Sequence, residues 1–218
     1  MQSFPASPTL KANSNYMKTP FLIALTTLLI WSHAAFTQNP DTVESRFFVG
    51  GTMFMLMNVI PNPPEYYQLN VGYRFTPRDV MTVEAITWKY DGPLGRQYGP
   101  DFENPESNFP GRVHCIGAGL TYKRFLWKQW YAQIHSTAFR QHYLNPEGER
   151  IQSGFQLFNT IRSGYQFRFF NNRFFLEPSI AITFWPINTN LPAEFQALED
   201  QFSQFFLGEP GLHFGFNF

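Results

Sequence analysis

The stretch Gly211-Leu-His-Phe-Gly-Phe-Asn-Phe218 decides how this chain is read. Leu212, Phe214, Phe216 and Phe218 fall on one side of an extended backbone, and Gly211, His213, Gly215 and Asn217 on the other. Successive side chains of a strand point to opposite faces, so this alternation predicts a strand with an apolar face and a small or polar face. Aromatics make up 19% of the 218 residues, with 26 Phe, and charged residues 15%, against about a quarter in an ordinary globular protein. Mean hydropathy is nevertheless −0.26, which excludes a helical membrane protein. Aromatic-rich, charge-poor and not very apolar overall is the composition of strands that alternate rather than run apolar.

Outward from that octet, the rest of the chain divides into further strands. Alternation, and β-branched or aromatic enrichment bounded by turn residues, predict strands over 46–58, 65–76, 79–90, 112–125, 129–143, 151–170, 174–186 and 210–218. The connections at 76–79, 126–129 and 171–173 are tight. Those at 58–64, 91–111, 145–150 and 187–209 are longer and rich in Pro, Gly, Asn and Glu. Long and short connections alternate along the whole chain, as in membrane barrels with short turns at one end and longer loops at the other. Tyr67, Leu69, Val71, Tyr73 and Phe75 alternate with Gln68, Asn70, Gly72, Arg74 and Thr76, and the sixth and seventh strands repeat the pattern. In the third strand Glu84 shares its side with Ile86 and Trp88, so the facing of the third and fifth strands stays open.

Before these strands, Phe21–Trp31 is a continuous apolar run of 11 residues, short of the ~20 a membrane helix needs. Lys18 precedes it and Ser32-His-Ala34 follows, the order of a secretory signal peptide with cleavage after Ala34 or Thr37. Residues 1–37 are read as that leader, with 1–16 as an extension ahead of the Met17-Lys18 pair. Residues 38–45 form a short lead-in and 46–218 the β domain. Without the leader the chain carries 14 basic against 16 acidic residues, with no basic patch for nucleic acid. The single Cys115 excludes a disulfide framework and a cysteine zinc site.

The terminal strand, the leader and the loop asymmetry together resemble small eight-stranded bacterial outer-membrane barrels of the OmpA/OmpX/OmpW-like superfamily, over roughly 46–218. The resemblance implies an eight-stranded antiparallel up-and-down transmembrane β-barrel. In that family Phe214, Phe216 and Phe218 would be the signal read by the barrel-assembly machinery. It further implies residence in the outer membrane of a Gram-negative bacterium, contact with lipid and lipopolysaccharide, and a monomeric state.

Several groups are candidates for chemistry. Arg74, Lys123, Arg162, Arg168 and Glu177, with Glu84 as a further member, fall on the polar faces and are expected to pair across a filled lumen, as structural ion pairs or as a gate. Some small barrels are lipid A deacylases or acyltransferases with a His/Ser arrangement. Here His135 and Ser136 are adjacent and point to opposite faces, leaving His135 and Thr137 on one side. Asp101, Glu103 and Glu106 form an acidic loop without the EF-hand order. In the last loop Phe195, Leu198, Phe202 and Phe205 recur at helical spacing, predicting a short amphipathic helix that covers the mouth, lies on lipid or docks a protein partner.

The sequence therefore predicts an integral outer-membrane protein that is not an enzyme and uses no cofactor or metal. Its role would be structural support or surface interaction through the outer loops. The alternatives are a small-solute or hydrophobic-compound channel, a lipid A-modifying enzyme, and a soluble lipocalin-like binding barrel.

Overall fold

Alternating sequence becomes alternating burial. Along β3 (Asp79–Asp91), Val80, Thr82, Glu84 and Ile86 are buried while Met81, Val83 and Ala85 are exposed. Similar alternation runs through most of the nine strands of a computed structural model, which describes residues 45–61, 63–92, 110–201 and 203–218. The leader, the lead-in up to Glu44, the acidic loop with Asp101, Glu103 and Glu106, and Phe202 lie outside the described residues.

The strands are β1 (Phe47–Thr52), β2 (Tyr67–Arg74), β3, β4 (Arg112–Trp127), β5 (Trp130–Leu144), β6 (Arg150–Tyr165), β7 (Phe167–Phe169), β8 (Phe174–Thr189) and β9 (Phe205–Asn217). All pairings are antiparallel and join sequence neighbours, apart from β1 with β9 and β6 with β8. The result is a single ring-like sheet with one short α-helix, α1 (Ala193–Glu199).

Four boundaries depart from the sequence reading. The expected sixth strand, 151–170, is interrupted at Gln166, whose side chain turns inward to donate to Glu177 at 2.7 Å. This interruption makes the strand count nine rather than eight. The expected first strand, 46–58, ends at Thr52, and Met53–Val59 forms a 3-10 helix. That run of Met, Phe and Leu lacks β-branched residues until its last position, and its start is capped by Thr52 Oγ1 accepting from Phe54 N at 3.3 Å. The seventh expected strand runs on from 186 to Thr189. The last begins at Phe205 rather than 210, because Phe205 pairs with Phe184 and Trp185 N donates to Gln204 O at 3.1 Å. Phe205 therefore belongs to β9, not to a helix, and α1 stops at Glu199 without a side-chain N-cap.

Inside the ring, two aromatic clusters bracket a polar middle. Near the tight turns Phe48, Val80, Phe125, Tyr131 and Phe175 form a floor. Gly72 and Gly215 admit it: a Cβ on either would collide with the ring of Phe48 or Phe175. Toward the long connections, Ile86, Val113, Cys115, Phe139, Tyr143 and Phe195 form the second cluster. Phe195, on α1, meets Tyr143 edge-on at 5.1 Å between ring centroids.

Candidate functional site

Between the two clusters lies a cavity of about 1550 Å³. The interior is thus not filled by side chains, contrary to the sequence expectation. The strands supply a mixed lining, with inward Gln, Thr, Glu, His and Arg in the middle and Phe48, Phe139, Phe158 and Phe175 toward the ends.

At its base Lys123 Nζ lies 2.6 Å from both carboxylate oxygens of Glu177 and 4.6 Å from the centroid of the Tyr131 ring. Arg168 Nε donates to Gln166 at 2.7 Å, and Gln166 in turn donates to Glu177. Arg74 lies over the Phe48 ring at 4.8 Å. Higher up, Arg162 spans Ser179 Oγ at 3.0 Å and Glu209 at 3.3 Å, and Thr183 donates to the other oxygen of Glu209 at 2.5 Å. Arg74, Lys123, Arg162 and Glu177 are buried and Arg168 is half-buried. Lys123 with Glu177 is a direct ion pair within the set singled out from sequence. Arg162 pairs outside that set, with Glu209.

Across the cavity the third and fifth strands meet. Glu84, 2% exposed, accepts from Thr137 Oγ1 at 2.9 Å and from Gln68, and its Oε1 lies 3.0 Å from His135 Nε2. Thr137 Oγ1 is 2.9 Å from that same His135 nitrogen. A hydrolytic relay needs the carboxylate on one ring nitrogen and the nucleophile on the other. Here both partners share Nε2, a closed hydrogen-bonded triangle rather than a relay. Ser136 points away from the cavity and donates to Asn159.

At the long-connection end the Lys89 ammonium bonds Glu65 and holds that carboxyl below the usual range. Arg112 Nε donates to Asp91 at 2.9 Å. The helix α1 is fastened by Glu199, which accepts from Asn188 at 2.6 and 2.8 Å, from Trp185 Nε1 at 3.3 Å and from Gln204 at 3.3 Å. Burial pushes the Glu199 carboxyl up.

Of the other residues read from sequence, Phe195 is buried, Leu198 half-buried, and Phe205 exposed on β9. Phe216 and Phe218 face outward, Phe214 is half-buried, and the Phe218 amide donates to Phe47 O at 3.1 Å. Sequence reasoning missed Glu209 and Glu199 because both sat in what reads as a loop. The spacing of Glu199 four residues after Phe195, on the same helical face, is the signal that locates it. Among the described residues no group of His, Cys, Asp and Glu is placed to hold a metal ion. Set against known proteins, the chain matches no family model, no curated protein and no solved structure.

Proposed function

We propose that this chain is an integral outer-membrane protein, an eight-stranded barrel in which β6 and β7 act as one strand interrupted at Gln166. The observation that carries the reading is the outward face of the ring. Leu69, Val83, Leu120, Ile134, Ile161 and Ile180, one from each of β2, β3, β4, β5, β6 and β8, are 49–61% exposed. A soluble monomer rarely shows a contiguous apolar patch beyond a few hundred Å², whereas a membrane barrel wears such a belt all round. The interior is inverted relative to a soluble carrier barrel, with Glu84, Lys123, Arg162 and Glu177 buried. Aromatic residues Phe170, Trp127, Trp130 and Phe218 are exposed at the tight-turn end, where an interfacial girdle would sit. That end is assigned to the periplasm and the long connections to the cell surface.

The role this geometry supports best is non-enzymatic, exercised through the outer loops and the internal cavity. The His135 triangle offers no relay, and the floor formed by Phe48, Phe175, Tyr131 and the Lys123–Glu177 pair argues against a straight channel. Reconstitution into phospholipid vesicles tests both halves of the reading. The mature protein should float with the vesicles, migrate faster on gels unheated than heated, and leave the vesicles tight to small ions. A protein that stays in the aqueous fraction without detergent overturns the membrane reading; ion leakage or stepwise conductance overturns the closed floor in favour of a channel.

A further inference from the structure

The wall of the ring is uneven. β5 pairs along its length with both neighbours, but β1 has only six residues and meets β9 only from His213 to Asn217. The first half of β9, Phe205–Leu212, pairs with β8 alone, and among the described residues its other edge has no backbone partner. The last link across that edge is the Thr52 hydroxyl, which donates to Leu212 O at 3.1 Å. Beyond it the 3-10 helix leans toward β2. Asn58 clamps the N–H and C=O of Tyr66 at 2.9 and 2.7 Å, Gln68 N donates to Met55 Sδ at 3.5 Å, and Phe54 meets Tyr66 at 4.8 Å.

The cavity records the consequence. On β5 it is lined by every second residue, Gln133, His135, Thr137 and Phe139, as a closed wall requires. On β9 it is lined by seven consecutive residues, Phe205 through Gly211. Both faces of a strand reach one cavity where the cavity passes the strand's edge, and the bulge at Gly208 turns β9 further at this point. In a bilayer an unpaired strand edge is tolerated only where it is buried in protein or lines a cavity. Phe54, Met57 and Ile60 stand on one side of this edge, Phe205, Leu207 and Pro210 on the other, and Glu84, His135 and Arg162 lie within.

We propose that the cavity opens sideways through this seam into the outer half of the apolar belt and takes a single-chain amphiphile with an uncharged, hydrogen-bonding head. The inference rests on the membrane reading above. The apolar rims suit an alkyl chain, and a seam along one strand edge suits one chain rather than two. The polar interior suits the head, and its charges decide which kind. Glu177 is matched by Lys123 and Glu209 by Arg162, while Glu84 holds three hydrogen-bonding contacts. An anionic head would have to draw Lys123 or Arg162 from its carboxylate, and a cationic head would have to be desolvated against Glu84, whose oxygens already take three contacts. Hydroxyls can instead donate and accept among them without displacing any.

The probe is 1-monolauroylglycerol, added to the full mature protein in phospholipid nanodiscs, with occupancy read by native mass spectrometry. One bound monolauroylglycerol per chain is expected, with laurate and dodecylamine each bound about tenfold more weakly. Leu207→Trp, at a position 71% exposed, should narrow the seam and lower occupancy about tenfold. Ile134→Trp, 61% exposed on the opposite wall, should leave occupancy unchanged. An inserted protein that binds no monolauroylglycerol, or equal occupancy in the two variants, overturns the seam. Equal binding of the charged probes overturns the assignment of the head. Failure to enter the nanodisc rejects the membrane reading instead.

Discussion

The wall made by β4, β5 and β6 and the wall made by β1 and β9 are built from the same alternating chemistry and differ in how much of their length is paired. β4 and β5 run in register from Arg112 against Leu144 to Trp127 against Trp130, with one irregularity at Phe125. β1 pairs with β9 over only five positions. In the first wall the strands pair along most of their length, so the side chains largely decide what faces in and what faces out. In the second, the backbone edge itself becomes part of the cavity lining. Strand length, more than side-chain identity, therefore sets where this interior communicates with its surroundings.

The first wall is tied at its base to β8, the strand beside β9, by Lys123 on β4 and Glu177 on β8, and breaking that tie should produce the largest effect. Glu177→Ala leaves a buried ammonium without its carboxylate, a loss of about 3–5 kcal/mol in a buried pair. The double variant Lys123→Met, Glu177→Leu removes both charges and should recover most of that loss. The urea midpoint for unfolding from vesicles reads both. A double variant no more stable than Glu177→Ala would mean that the pair positions the floor through geometry and not through charge.

A smaller effect should separate the walls from the outside. A lysine on the lipid face of a membrane barrel costs about 2–4 kcal/mol near the midplane and falls toward zero near the interface. Ile134→Lys puts the ammonium against a fully paired wall and should carry a cost in that upper range. Leu207→Lys lies beside the seam, where the ammonium can turn toward the polar cavity, and should be cheaper by about 1–2 kcal/mol. Equal destabilisation of the two variants in the same vesicle assay would say that the β9 edge is sealed against water.

Much of this architecture is legible in the sequence, and the reason is local. Tyr67 to Arg74 and Phe174 to Ile182 alternate cleanly, so their facing follows from a period of two. The tight turns at 76–79, 126–129 and 171–173 show in their turn residues, and Lys128, Asn171 and Asn172 do take positive φ there. What is not legible depends on contacts distant in sequence. The third strand looks ambiguous because Glu84, Ile86 and Trp88 share one side. All three face inward, with Glu84 in the polar middle and Ile86 and Trp88 in or against the aromatic cluster above it. The early end of β1 depends on Thr52 and Asn58 holding a 3-10 helix against Tyr66, a pairing that alternation does not encode. Glu209 reads as loop until β9 is seen to begin at Phe205 and bring it to Arg162.

The smallest expected effect concerns α1. Glu199 fastens α1 to Trp185 and Asn188, and burial raises its carboxyl pKa above the ordinary value of 4.5. A carboxyl with a raised folded-state pKa favours the folded state more as it takes up its proton. Docking of α1 should therefore strengthen as pH falls through the raised value toward 4.5, and change no further below it. Hydrogen exchange of the α1 amides, corrected for the intrinsic pH dependence of exchange, should slow a few-fold over that window. Glu199→Gln, uncharged at every pH and still able to accept from Asn188, should hold the helix docked and flatten the dependence. Faster corrected exchange on acidification would mean that the ionised carboxylate, through its bonds to Asn188 and Trp185, outweighs the cost of burying it. The fastening of α1 to β8 would then loosen in acid instead of tightening.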